Sequence, residues 1–297
     1  MGRQTVGHQA SKEETMQSNN PVFRRSEEFS RAGAAPQQTQ AYGGYGQPAQ
    51  WGVGQPGALG YDDVRPATGS GRMTIDSVVQ KTAITLGVIV VGAMATWILT
   101  PEIRSYSNLS GIYALVAVGS LGAFALSMVN SFKRVVSPAL VLAFAAFEGV
   151  ALGAISKMFN AYIGDGIVMG AVIGTMAAFA GTLAAYKVLN IRVGQKFRLF
   201  VMAAVFAMLG LSLMELVLSL FGAQIGLFGL GGLGAVTAVI GIVLGVFMLI
   251  LDFDFVEQGI RNGLPERESW RASFAMAVSL VWIYTNLLRL LAILNQD

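Results

Sequence analysis

Seven apolar blocks, each about as long as a helix that crosses a bilayer, constrain this chain more than any other feature. They fall at 79–99, 110–130, 138–159, 166–189, 198–221, 232–253 and 271–294. None alternates apolar and polar residues, and open sheet edges cannot face hydrocarbon, so strands are excluded. A helix satisfies its interior backbone groups within its own segment. The connections are short, mostly under about a dozen residues, which packs consecutive helices antiparallel as neighbours. The expected fold is all-α: a polytopic membrane protein with a seven-helix transmembrane bundle over residues 74–297, surrounded by lipid. Charge content agrees, because 12% charged residues is about half of the roughly 25% usual in soluble domains.

The charges between blocks set the expected orientation. Lys133, Arg134, Lys187, Arg192, Lys196, Arg198, Arg261, Arg267 and Arg271 sit in or beside the even-numbered loops, whereas the other loops offer only Arg104 and Lys157. Positively charged loops stay on the cytoplasmic side. That places the N-terminal segment in the cytoplasm, along with the loop between the sixth and seventh blocks.

Residues 1–73 are rich in Gly, Gln and Pro and read as a disordered cytoplasmic tail that cannot bury enough apolar surface to order itself. Asn20-Pro21-Val22-Phe23 is either a chance apolar pair there or a docking element. Thr74 or Asp76 is the expected N-cap of the first helix.

Several classes of chemistry fall away. There is no cysteine and one histidine, His8, in the tail, so thiolate catalysis, cysteine metal sites and histidine triads are excluded. A net charge of +3, dispersed between apolar blocks, does not point to nucleic acid. Met1–Thr15 has no apolar core of a signal peptide. Gly229-Leu-Gly231-Gly-Leu-Gly234 matches a dinucleotide fingerprint in letters only, since no βαβ unit surrounds it. It reads as a turn. No enzymatic activity and no cofactor are expected. The pairs Gly149/Gly153 and Gly241/Gly245, and the run Gly166/Gly170/Gly174, have the four-residue spacing that lets helix backbones approach closely in lipid.

The candidate functional residues are acids in apolar surroundings, where a charge is costly and marks ion or proton sites. Asp252, Asp254 and Glu257 close the sixth block. Asp252 and Asp254 point about 200° apart on a helix, whereas Asp254 and Glu257 share a face. Asp252 is the expected deep acid, Asp254 a secondary one, and Glu257 a solvated helix-end acid. Glu148 sits mid-block in the third helix, as a relay or pore-lining acid or as a carboxyl bonded to a neighbouring helix. Glu215 lies nearer the outer end of the fifth. On the seventh, Asn286 is too deep to reach water and should bond another helix, while Arg289 reaches the outer interface.

Together, Asn20-Pro21-Val22-Phe23, Phe147-Glu148-Gly149-x-x-Leu152-Gly153, Leu251-Asp252-Phe253-Asp254-Phe255-Val256-Glu257 and Trp282 to Leu291 resemble the Bax inhibitor family of seven-helix membrane proteins, in its bacterial branch. The resemblance implies six helices around the last one, location in a bacterial inner membrane, and a pH-sensitive calcium leak tied to stress responses. It implies a gate in which aspartates of the sixth and seventh helices share a proton. Asp252 takes the sixth-helix position and would be the calcium ligand. The seventh-helix acid has no counterpart between Trp282 and Asn286, which leaves Asp254 or Glu148 to complete the site. Calcium would be the permeant ion. The alternative that the resemblance implies is a non-conducting regulator of another membrane protein, such as a membrane-anchored protease.

Overall fold

The computed structural model describes residues 71–103 and 109–296. The tail motif at Asn20–Phe23, His8 and Arg104 lie outside them. All seven expected blocks are helices: α1 Ile75–Leu99, α2 Leu109–Phe132, α3 Pro138–Ile163, α4 Ile167–Val188, α5 Gln195–Leu220, α6 Gly232–Arg261 and α7 Glu268–Leu294. Each is long and apolar enough to cross a membrane, and no strand occurs among the described residues. The cap of α1 is Thr74, in a reciprocal capping box with Ser77 at 3.1 Å each way.

Cross-helix bonds define the two ends. At one end, Gly71 and Met73 pair with the α6–α7 loop through Glu266 N–H to Gly71 O and Met73 N–H to Leu264 O, both 2.7 Å. There too, Arg271 of α7 donates to the Arg134 carbonyl of the α2–α3 loop at 3.0 Å. At the other end, Lys157 on α3 meets the last turn of α1. The helices therefore alternate in direction, and the basic loops collect at the first end, called the basic end below.

α7 packs against α1, α3, α4 and α6. It does not touch α2 or α5, so the ring of six around the last helix is not formed. α2 rests only on α3, and α5 only on α6. The reason lies in side chains. α7 is the least apolar of the seven, and its Ser269, Ser273, Ser279 and Asn286 are all buried. Ser269 pairs with Ser77 at 2.7 Å, and Ser273 with Thr85 at 2.6 Å. Lys81 adds an ion pair to Glu266 at 2.7 Å. Between helices in lipid such bonds contribute roughly 0.6 kcal/mol each. α5 exposes apolar residues on nearly every side and offers only a few to α6.

Glycines set the closest approaches. A Cβ on Gly149 would lie 2.5 Å from the Ile89 carbonyl oxygen, and one on Gly153 2.5 Å from that of Ala93, so α1 and α3 touch backbone to backbone. Gly241 and Gly245 make room for Asn286 and Ile283 of α7. Gly170 and Gly174 face only the tips of Leu291 and Leu287, and Gly166 faces open space.

Candidate functional site

α6 runs for 30 residues, nearly three turns past Leu251, so Asp252, Asp254 and Glu257 lie inside a helix and not at its end. The turns between them send the three acids to three neighbours. Asp252 is half-buried and faces α7, where Ser279 Oγ donates to its carboxylate at 2.6 Å. Asp254 faces α5. Arg198 Nη2 bonds its Oδ2 at 3.0 Å, and Gln258 Nε2, one turn along α6, reaches the same oxygen at 2.6 Å. Glu257 accepts from the Tyr186 hydroxyl of α4 at 2.6 Å and pairs with Arg261 at 3.5 Å.

Two expectations change here. Asp254, expected to be secondary to the deep Asp252, is itself buried, where a cation and an amide meet it. Glu257 is exposed as expected, yet it ties α4 to α6. The partner residues were missed in the sequence. Arg198 had counted only as a loop charge, although it opens α5. Ser279 faces α6 and lies on another side of α7 from Ser269 and Ser273, which face α1, so no spacing in the sequence marked it.

The other candidates do not join this group. Glu148 is half-buried on α3, on the face that carries Phe144, Ala145 and Leu152 toward Phe274 and Ala277 of α7. No hydrogen bond or ion pair reaches it from the described residues. Glu215 holds the α5–α6 loop, accepting from the backbone N–H of Gly226 and Leu227 at 2.9 Å each. Asn286 bonds its own helix, donating to the Trp282 carbonyl at 2.7 Å, while the carbonyl of Gly241, the α6 residue pressed against it, is taken by the Trp282 indole N–H at 2.9 Å. Arg289 turns inward instead of to the interface. Its guanidinium reaches Thr237 and Asn286 at 3.2 Å each and lies 5.2 Å from the Phe228 ring centre. Lys157 is inside α3 and buried, with Nζ donating to the carbonyls of Trp97 at 2.8 Å and Thr100 at 2.5 Å. It caps the C-terminus of α1, where a cation opposes the helix dipole.

Thus Asp252, Asp254 and Glu257 form separate interhelix contacts, and no group of three or more Asp, Glu, His or Cys gathers among the described residues. The family model described as Bax inhibitor 1 like matches residues 20–296. The chain belongs to the Bax inhibitor 1 like family. Comparison with curated proteins gives no match. The family match begins at Asn20, the first residue of the tail motif, and covers all seven helices. Within this Bax inhibitor 1 like chain, the aspartate of the sixth helix meets a serine on the seventh.

Proposed function

We propose that this protein is a cation leak in which Asp252, held by Ser279, is the gate between α6 and α7. The supporting observation is the 2.6 Å bond from Ser279 Oγ to the Asp252 carboxylate, which joins the two helices where the family resemblance implies a shared-proton pair. A hydroxyl replaces the second carboxylate, so Asp252 carries the titrating charge alone. An ionised carboxylate between apolar helices calls for water or a cation, whereas a neutral carboxyl tolerates close packing. Calcium needs six to eight oxygen ligands, roughly. One carboxylate and one hydroxyl supply a site of transit, completed by water, and not one of retention. The loop charges favour the cytoplasmic face for this gate, and the family resemblance a bacterial inner membrane.

Purified full chain in liposomes with a calcium dye tests the reading across pH 5 to 8, roughly the range of perturbed carboxylates and histidine. The expected result is a pH-dependent flux that becomes independent of pH in Asp252→Asn. Absence of flux at every pH, or an Asp252→Asn profile identical to the parent, sinks it.

One observation favours a second reading. The pairing of Gly71 and Met73 with the α6–α7 loop joins the tail directly to the hairpin that carries the acids. A partner that grips the tail, such as a membrane-anchored protease, then acts through this hairpin. Deletion of residues 1–70 abolishes the cellular effect in this reading, while Asp252→Asn leaves it intact.

A further inference from the structure

The backbones of α1 and α4 stay more than 8 Å apart, Cα to Cα. Between them lies a cavity of about 300 Å³. Met94 and Trp97 form one wall, Val172 and Met176 the other, and Leu152 of α3 and Val281 of α7 are the floor. The rims are exposed on the side that faces lipid, with Met94 at 57% and Met176 at 51% exposure. The hydroxyls in the lining are already engaged, which leaves the Trp97 indole N–H. Ser156 and Tyr284 bond each other at 2.6 Å, and Thr175 donates to the Ala171 carbonyl at 2.7 Å. Nearby Lys157 spends its ammonium on oxygens of α1.

Three fillings can be weighed. Water needs two to four polar partners, roughly, and finds too few. Vacancy beside fluid hydrocarbon forfeits the dispersion contacts of every lining residue. Hydrocarbon regains those contacts. The volume is within the roughly 300–1,000 Å³ of ligand pockets. We infer that this groove binds one acyl chain of a bilayer phospholipid, which supplies the packing that α1 and α4 do not give each other. Recognition is of the chain, because no free cation in the lining selects a headgroup.

A photoreactive benzoyl-phenylalanine at Val172, in the full chain in native membranes, tests this by intact mass. The control carries it at Val239, exposed on α6 within two turns of the same end. The expected result is an adduct of one phospholipid mass at Val172, at least fivefold more abundant than at Val239. It should fall by a similar factor when Ala93→Phe fills the groove in a protein whose unfolding temperature is retained. A Val172→Trp chain, read by labelling α1 and α7 peptides with a diazirine phospholipid, gives the same answer if Ala93→Phe fails to fold. Equal adducts at both positions mean ordinary surrounding lipid and overturn the inference. A covalent link to a second copy or another protein overturns it too.

Discussion

Replacement of Arg198 by methionine removes the cation that α5 offers to α6. Two limits bracket the effect. Breaking one side of a fully buried ion pair costs about 3–5 kcal/mol, whereas an exposed pair contributes about 0.2–1 kcal/mol. This pair is lopsided: the Arg198 side chain is 49% exposed and that of Asp254 only 6%. Water screens the guanidinium but not the carboxylate that it leaves behind. Gln258 keeps its 2.6 Å bond to the same oxygen, so Asp254 is not stripped bare. A loss of about 2 kcal/mol follows, midway between those limits. Asp254→Asn strands only the half-exposed partner and costs about 0.5–1 kcal/mol. In the double variant no uncompensated charge remains, so the cycle shows a coupling of about 1 kcal/mol, inside the range of polar pairs measured between membrane helices. Thermal unfolding in detergent, followed by tryptophan fluorescence, reads these as a fall of about 4–8 °C for Arg198→Met. Hydrogen exchange should rise first at the start of α5, which touches no helix but α6. Additive single effects, or an Asp254→Asn loss larger than that of Arg198→Met, would refute the reasoning that burial of the acid dominates.

Further outcomes follow from the same contacts. Gly149→Ala or Gly153→Ala forces α1 and α3 apart and lowers stability by about 1–3 kcal/mol. Gly111→Ala, which meets nothing within 4 Å, leaves the unfolding temperature unchanged or raises it. Met73→Ala empties the buried site beside Gly259 and Leu264, at a cost of about 2 kcal/mol or more, and speeds hydrogen exchange in residues 262–267. Lys157→Met leaves the Trp97 and Thr100 carbonyls without their donor and costs about 1–3 kcal/mol. Lys157→Arg recovers part of that loss in the same unfolding assay.

Block length was enough to place all seven helices, because a bilayer sets a length scale that any sequence must meet. The glycine pairs Gly149/Gly153 and Gly241/Gly245 marked faces of close approach, since only a missing Cβ permits it, but not the helices that meet them. The acids near the end of α6 were visible as costly residues in an apolar chain. Their partners were not, since pairing depends on helix rotation and on which helices become neighbours. Those two quantities turned Asp254 toward Arg198 and Asp252 toward Ser279, drew Arg289 inward to Thr237, and made Lys157 a cap for α1. Likewise, no local pattern announces that α1 and α4 stay apart, or that α5 rests on α6 alone. Sequence by itself determined how many times the chain crosses and where it spends polar groups in lipid. Tertiary structure decided which of those groups meet, because in lipid an unpartnered polar atom is costly and contact order among helices settles which one finds a mate.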